Sequence, residues 1–417
     1  MGPADVEAVW RIESARIVAA LTRLTGDFGL AEDAAQEAVA EALVSWPRVA
    51  PASPAGWLMA TARRRAIDMI RRRAALRDRY ALLAASDPAV DGDDADPDRI
   101  DDDVLALMFV SCHPVLSREA RVALTLRVVG GLSSEEIARA FLVPVPTVQA
   151  RITRGKKTIA AAGVPFALPE ADERRERLGG VLSVLYVIFT EGSTATSGDR
   201  LLRPDLAYEA IRLARTLAAL LPDEPEVHGL LALCELTAAR FPARTARDGS
   251  PVLLADQDRR RWDHSAVRRG LAALVRASRR GLGPYGLQAA IAAAHASAPS
   301  VEATDWDRIV LLYEALGRVA PSPVVELNRA VAVAMGSGPT QALAIVDELI
   351  ALDRLPGSHL VPSVRGELLA RLDRRAEARA ELELAARRCA NRRERSVLVR
   401  KAAALTGHER DQGPGQV

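Results

Sequence analysis

A run of basic side chains near position 150 is the first feature of this sequence whose residue types and spacing suggest a specific chemistry. Arg151 and Arg154 lie three residues apart, so on a helix they share one face, with Thr147, Gln149 and Lys157 as candidates for neighbouring contacts. Guanidinium and amide groups bind base edges in the major groove of DNA, and cations bind its phosphates. The pattern indicates contact with DNA. The alternative is a solvated basic helix in a helical protein.

A second basic segment, residues 63–79, contains eight arginines and only two aspartates. Trp57 lies just upstream, in a stretch that opens with proline and glycine at 54–56. An aromatic ring beside a dense row of arginines suits unpaired nucleic acid, since bases stack on rings while phosphates attract guanidinium groups. The alternative is that Trp57 is a core residue of an amphipathic helix, with Ile67 and Ile70 on the same inward face.

A helix with an acidic face is predicted further upstream, over residues 30–43, closed by the Ser-Trp-Pro sequence at 45–47. Acidic helices usually serve solubility alone. Here the order along the chain adds information: an acidic helix, a proline-rich loop, a basic helix with a tryptophan, an acidic linker and a second basic helix.

The elements that must position the basic side chains near 150 are two helices joined by a tight turn. Residues 133–136 have the Ser-x-x-Glu form of a capping box, which predicts a helix start. Pro144 and Pro146 cannot continue that helix, but proline fits the first turn of a new one. The second helix is predicted from Thr147 to about Ala160. Its inward residues would be Val148, Ile152 and Ile159. The pair has the pattern of a helix-turn-helix that binds DNA.

Taken together and in this order, these segments resemble a bacterial RNA polymerase sigma factor of the extracytoplasmic-function type, over about residues 8–163. The resemblance implies a polymerase-binding segment that grips the clamp helices of the largest subunit of core RNA polymerase. Its residues here are Glu32, Asp33, Gln36 and Glu37. The domain around the helix-turn-helix is expected to contact the flap of the second-largest subunit.

The resemblance also implies two promoter-binding surfaces. One reads and melts the minus-ten element and would comprise Ser53, Arg63, Arg64, Asp68, Arg71 and Arg72. The other reads the minus-thirty-five element and would comprise Thr147, Gln149, Arg151, Arg154 and Lys157.

Three positions depart from the usual pattern of such factors. Arg64 stands where many relatives carry asparagine, so promoter preference cannot be transferred. Pro144 replaces a frequent serine cap, which removes an acceptor that stabilises a helix start by roughly 1 kcal/mol. Gly155 replaces a common alanine inside the reading helix, and glycine there costs about as much.

Length and composition predict an all-α protein of several domains. The chain has 417 residues, is 49% hydrophobic but only 4% aromatic, and has a net charge of +2. Abundant Ala, Leu and Arg favour helix, and the balanced charge excludes bulk attraction to nucleic acid, which leaves local basic patches. The predicted parts are sigma region 2 (1–82), a flexible acidic linker (83–103), sigma region 4 (104–165), a helical extension (170–405) and a disordered tail (406–417).

The linker is a plain spacer by its composition. Nine aspartates lie between Ser86 and Asp103, mixed with glycine and proline, which oppose helix. A calcium-binding loop is the alternative, but the twelve-position frame ending in glutamate is missing.

Cysteine usage and hydropathy predict a soluble cytoplasmic protein without a cofactor. Cys112, Cys234 and Cys389 are far apart and form no metal-ligand spacing or disulfide framework, which suits a reducing cytosol. There is no signal peptide and no run of 18 apolar residues, so no membrane contact is expected. The apolar stretch 181–190 is predicted to be a buried helix.

The helical extension shows a weak repeat with a shift of 36 residues. Small and apolar residues recur in it: Ala330, Ala342, Val346 and Leu349 return as Gly366, Ala378, Leu382 and Ala385. This pattern resembles the tetratricopeptide helix pair, and an irregular helical bundle is the alternative. Two polar loops, 189–199 and 248–259, contain carboxylates but no catalytic constellation, so no enzymatic activity is expected.

Two functions from different classes follow. The first is a sigma factor whose helical C-terminal half modulates its activity, because the chain resembles a subgroup in which such an extension governs activity; a regulatory protein or a ligand would bind that half. The alternative is a stand-alone helix-turn-helix regulator with a helical sensor domain. The acidic helix and the Trp57 arginine helix discriminate between the two, since an operator-binding protein needs neither.

Overall fold

The computed structural model describes residues 2–80, 97–194, 202–246 and 250–405. The protein is 77% helical, and these ranges contain no strand, which confirms the all-α prediction. Residues 83–96 of the predicted linker, the predicted tail 406–417 and the carboxylate of Asp199 lie outside the described residues.

The chain divides into two compact units, Met1–Ile188 and Phe189–Val417. The first unit contains helices α1 (Pro3–Thr25), α2 (Phe28–Ser45), α3 (Pro54–Tyr80), α4 (Pro97–Ser111), α5 (Arg118–Leu124), α6 (Ser134–Phe141), α7 (Val145–Ala161) and most of α8 (Ala171–Ser193), with a π-helical turn at Thr125–Val129 after α5. The division falls inside α8, whereas the sequence suggested a boundary between 165 and 170. The apolar stretch beginning at Val181 is buried, as predicted.

Helices α1, α2 and α3 pack together, and α4 packs against α1. The inward face of α3 differs from the predicted one. Leu58, Ala62 and Ala66 are fully buried, while Ile67 and Ile70 are partly exposed. The small alanine side chains allow α3 to lie close to its neighbours, so the helix turns this stripe inward. Trp57 lies at the edge of the core and meets Trp46 edge-to-face, with ring centroids 5.7 Å apart.

The prediction placed the C-terminal end of the flexible linker, residue 103, too far along the chain. Helix α4 begins at Pro97, so residues 97–103 are helical. A proline suits the first turn of a helix, because it lacks only a donor that would be unpaired there. Asp103 is buried, and its carboxylate accepts hydrogen bonds from Arg23 Nε at 2.7 and 2.8 Å.

The helix-turn-helix consists of α6 and α7. The capping box is confirmed, because Ser133 Oγ accepts from the Glu136 amide at 3.1 Å and Glu136 Oε2 accepts from the Ser133 amide at 2.8 Å. Leu142, with φ of 52°, follows the end of α6. Helix α7 begins at Val145, two residues before the predicted start, with Pro146 in its first turn.

Gly155 has a tertiary role that its helix propensity does not reveal. It is buried where α7 crosses α5, and a Cβ atom at this position would lie 2.7 Å from Leu124 Cδ1. The close approach of the two helices therefore offsets the intrinsic cost of glycine in a helix, and an alanine here would require the Leu124 side chain to shift.

The second unit continues with ten helices among the described residues. They are α9 (Pro204–Leu220), α10 (Pro225–Ala238), α11 (His264–Ser278), α12 (Pro284–Ser297), α13 (Trp306–Val319), α14 (Pro323–Gly336), α15 (Pro339–Ala351), α16 (Leu360–Arg371), α17 (Arg375–Arg388) and α18 (Arg392–Ala404). Short 3₁₀ turns at Phe241–Ala243, Leu254–Asp256 and Arg259–Arg261 connect α10 to α11.

The residues of the weak repeat lie in two successive helix pairs, α14–α15 and α16–α17. All eight repeat positions are buried. Within the second pair, a Cβ atom at Gly366 would lie 2.8 Å from Leu382 Cγ and 3.1 Å from the Ala378 carbonyl oxygen. Small residues thus allow close crossing of these helices, which is the physical basis of the repeat pattern.

Candidate nucleic-acid and polymerase interface

Helix α7 presents the predicted minus-thirty-five residues on its accessible side. Val148, Ile152 and Ile159 are buried, as the sequence predicted. The accessible residues include Gln149, Arg154 and Lys157, which are exposed, and Thr147 and Arg151, which are partly buried. The packed face of α7 therefore positions its basic face away from the core.

Lys156 differs from its neighbours on α7. It is not among the predicted inward residues, yet its Nζ donates to Asp33 Oδ1 at 2.8 Å and is also hydrogen-bonded to Glu32. Burial alone would lower the pKa of Lys156, but the charges and hydrogen bonds of Glu32 and Asp33 outweigh burial and raise it. Lys156 thus serves an intramolecular contact in this structure.

Glu32 is the buried acceptor of that contact. Its side chain is only 4% exposed, and Oε1 accepts from Arg127 Nε at 2.9 Å while Oε2 accepts from Lys156. Arg127 also donates from Nη1 to the Leu132 carbonyl oxygen at 3.2 Å. One carboxylate therefore links α2, the π-helical turn and α7.

Two further ion pairs join α1 to other helices of the first unit. Arg23 of α1 binds Asp103 of α4, and Arg11 of α1 binds Glu136 in the first turn of α6. Together with the contacts of Glu32, these ion pairs hold the predicted polymerase-binding helix and the predicted DNA-reading helix within one compact unit.

The other predicted polymerase-binding residues are more accessible than Glu32. Asp33 and Glu37 are exposed, and Gln36 is partly buried. The Glu37 carboxylate lies 3.9 Å from Arg65 Nε, a longer separation than the 2.6 Å between Arg65 Nη2 and Glu41.

The structure divides the arginines of α3 into two groups. Arg65 binds Glu41, whose hydrogen bond raises the pKa of Arg65, and Arg73 binds Asp27 at 2.6 Å. Arg63, Arg71 and Arg72, by contrast, form no ion pair with any described residue. These three belong to the set predicted to contact the minus-ten element.

The remaining minus-ten candidates lie along the same helix or just before it. Arg64 is exposed and donates from Nη2 to Thr61 Oγ1 at 3.0 Å. Asp68 is also exposed. Ser53 precedes α3, and its Oγ accepts from the Gly56 amide at 3.3 Å, so this hydroxyl helps to cap the helix.

Sequence reasoning missed Arg127 as a partner of Glu32. The two residues are 95 positions apart, and nothing in the local pattern around Arg127 distinguishes it from other surface arginines. It missed in the same way a group in the second unit, where ligand-type atoms of His359, Cys389 and Glu394 lie within 4.8 Å of one another. There, His359 Nε2 lies 3.4 Å from Glu394 Oε1.

Family models match three stretches of the chain. The sigma-70 region 2 model matches residues 11–76, and the sigma-70 region 4 model matches residues 106–159. The chain therefore contains both sigma-70 regions of a sigma factor. A model described as a family of unknown function (DUF6596) matches residues 177–278 of this sigma factor, so the tetratricopeptide likeness of the extension is not confirmed.

Curated relatives of the extracytoplasmic-function (ECF) type support an ECF-like sigma factor. The sigma factor is 28% identical over 173 residues to the probable ECF RNA polymerase sigma factor SigI of Mycobacterium tuberculosis, covering 40% of this chain and 59% of that protein. It is 33% identical over 138 residues to the ECF RNA polymerase sigma factor SigE of Mycolicibacterium smegmatis, covering 33% of this chain and 53% of that protein.

A third relative is similar along most of the chain, well beyond the sigma regions. The uncharacterized protein R00370 of Rhizobium meliloti is 46% identical over 376 residues, which cover 88% of each chain, so both proteins belong to one family. No solved structure matches this sigma factor. Among the described residues, no helix has both the length and the hydropathy needed to cross a membrane.

We predict that Glu32→Gln lowers the free energy of unfolding by about 3 kcal/mol, because it leaves Arg127 and Lys156 partly buried without their shared carboxylate. Urea unfolding of the full chain measures this. Glu37→Gln, an exposed change on the same helix, is the control and should alter stability by less than about 0.5 kcal/mol. Equal effects of the two substitutions would contradict the structural role of Glu32.

Proposed function

We propose that this sigma factor binds core RNA polymerase through the α2 segment and directs initiation at promoters that α3 and α7 recognise. The observation that carries the proposal is the division of the basic residues. Within the runs on α3 and α7, Arg65, Arg73 and Lys156 are ion-paired, while Arg63, Arg71 and Arg154 have no carboxylate partner among the described residues. The unpaired cations are those that the sequence predicts to meet DNA.

For the minus-thirty-five element, we propose that α7 enters the major groove. Arg151 and Arg154 would bind base edges there, with Thr147, Gln149 and Lys157 at bases or phosphates nearby. The capping box of α6 and the packing of Gly155 on Leu124 support this role, because they fix the helix that presents these side chains.

For the minus-ten element, we propose that Arg63, Arg64, Arg71 and Arg72 attract the melted strand, with Ser53 and Asp68 beside it. Flipping a base out of the stack costs a few kcal/mol, so a charged surface must offset the cost. We expect the protein to act in the cytoplasm, where core polymerase and promoters are found.

Polymerase binding through Glu32 requires a change in the first unit. While Arg127 and Lys156 occupy its two carboxylate oxygens, Glu32 has little capacity for another partner. The exposed Asp33 and Glu37 could make the first contact with the clamp helices of the largest subunit. We propose that engagement then separates α2 from α7, which also frees the second sigma domain to reach the flap of the second-largest subunit.

The C-terminal half is proposed to modulate this activity through a regulatory protein or a ligand. It forms a compact unit of its own, and the R. meliloti relative aligns over 88% of the chain, well beyond the sigma regions. A stand-alone regulator that binds an operator is less well supported, because it would need neither a region 2 match nor the α2 acids.

We predict that Arg151→Ala combined with Arg154→Ala abolishes promoter-specific transcription while binding to core polymerase survives. Each lost base contact should cost about 1–3 kcal/mol of promoter binding. Run-off transcription and co-elution with core polymerase measure the two properties. Normal promoter output from the double variant would refute the assignment of α7.

We predict that Lys156→Gln increases the affinity for core polymerase by up to about tenfold, which corresponds to about 1.4 kcal/mol. The substitution removes a cation that competes for Glu32 and Asp33. Lys157→Gln, at the exposed neighbouring lysine, should leave core affinity unchanged. Fluorescence anisotropy with labelled protein measures both variants, and unchanged or weaker binding of Lys156→Gln would refute the proposed separation.

We predict that a chain ending at Ser193, which keeps α8 whole, gives a promoter output different from that of the full chain. A polymerase-bound subunit has little use for so large a passive extension. Loss of run-off product would indicate an extension that is needed for activity, and gain would indicate an inhibitory one. Run-off reactions with and without added cell extract are compared for both chains. Equal output from the two chains under both conditions would refute modulation.

A further inference from the structure

Two arginines stack on one tryptophan in the second unit, between α10 and α12, and the charge of a third arginine acts on one of them. The guanidinium carbons of Arg259 and Arg240 lie 4.7 and 5.7 Å from the ring centroid of Trp262, which is buried. Arg244 follows Arg240 by four residues in the sequence. Burial, followed by the charges of Arg244 and Arg259, lowers the pKa of Arg240 to about 10. We call Arg240, Arg244 and Arg259 the arginine cluster.

The arginine cluster has no acidic partner within the described residues, which leave out 247–249. Its hydrogen-bond acceptors are neutral: Gln257 Oε1 for Arg240, the Ser193 carbonyl for Arg244, and the His295 and Ala298 carbonyls for Arg259. Glu302 and Glu394 act on Arg259 and Arg244 only through longer-range charge interactions.

Other arginines of the same unit are arranged differently. The buried carboxylate of Glu235 accepts from Arg215 Nε at 2.8 Å and from Arg269 Nη2 at 3.0 Å. The unit therefore neutralises those two arginines with a buried acid, whereas the arginine cluster keeps its positive charge.

Several donors of the cluster region are unused. Arg259 Nη2 and Trp262 Nε1 are buried and have no hydrogen-bond partner, and the same holds for His295 Nδ1. A buried polar group without a hydrogen-bond partner destabilises the folded state. Burial and the charges of Arg240 and Arg259 lower the pKa of His295 to about 4, so this imidazole is neutral near pH 7.

We propose that the arginine cluster is a binding site for a small oxyanion, a phosphate or carboxylate group, held by Arg240, Arg244 and Arg259. Guanidinium groups present parallel donors that match both kinds of oxyanion. A bound anion would relieve the repulsion among three like charges and supply the acceptors that are missing. This inference does not rest on the sigma-factor function of the first unit.

The test is isothermal titration calorimetry of the full chain with inorganic phosphate and, separately, with citrate, at constant ionic strength maintained by chloride. We expect saturable heat with at least one of the two, accompanied by a rise in the melting temperature. Heat with phosphate alone would identify a phosphate site, and heat with citrate alone a carboxylate site.

Arg240→Gln should abolish that heat, while its melting temperature in chloride equals or exceeds that of the parent, because a repelled cation has been removed. Arg260→Gln is the matched control, since Arg260 adjoins Arg259 but its side chain is 91% exposed, and it should retain full anion binding. Arg244→Gln provides a second test of the cluster if Arg240→Gln does not fold.

Absence of saturable heat with both anions would overturn the proposal. It would also be overturned if Arg240→Gln and Arg244→Gln both retained binding. A lowered melting temperature of Arg240→Gln in chloride, together with no anion effect on the parent, would instead show that the arginines serve only to stack on Trp262.

Discussion

The arrangement of the first unit depends on one buried carboxylate. Glu32 lies on the helix that resembles a polymerase-binding segment, and its oxygens bind Arg127 and Lys156 from the part of the chain that reads DNA. A buried carboxylate without cationic partners would destabilise the fold, so Arg127 and Lys156 compensate for the burial of Glu32. The contact that stabilises the compact unit therefore uses the same group that the resemblance assigns to the polymerase.

The distribution of ion pairs separates structural from functional arginines. On α3, Arg65 and Arg73 are engaged by acids of α2 and of the turn before it, which fixes the helix in place. Their neighbours Arg63, Arg71 and Arg72 remain without such partners in the described residues. A basic segment of this kind can be both a packing element and a DNA-binding surface, because only some of its charges form ion pairs within the protein.

The second unit handles positive charge in two ways. Glu235 is buried and binds two arginines, which is a self-contained arrangement. The arginine cluster around Trp262 instead has neutral acceptors and unused donors, which favours an external anion. Close helix crossings at small residues, as at Gly366, give this unit its regular pairs without large aromatic cores.

The sequence by itself determined the features that arise within a few residues. The helices and the DNA-binding domain were predicted correctly from four signals: the cap at Ser133, the prolines at the start of α7, the apolar face of Val148 and Ile152, and the order of acidic and basic segments. These signals are local, because a cap or a helix face involves positions at most a few turns apart.

Only the tertiary structure decided which charged residues form ion pairs and which glycine lies in a close helix contact. Glu32 binds partners 95 and 124 positions away, and Gly155 lies directly against Leu124 of another helix. Neither fact leaves a trace in local spacing. Pairing between distant residues depends on how the helices pack, and that packing is set by the burial of the whole unit rather than by any one segment.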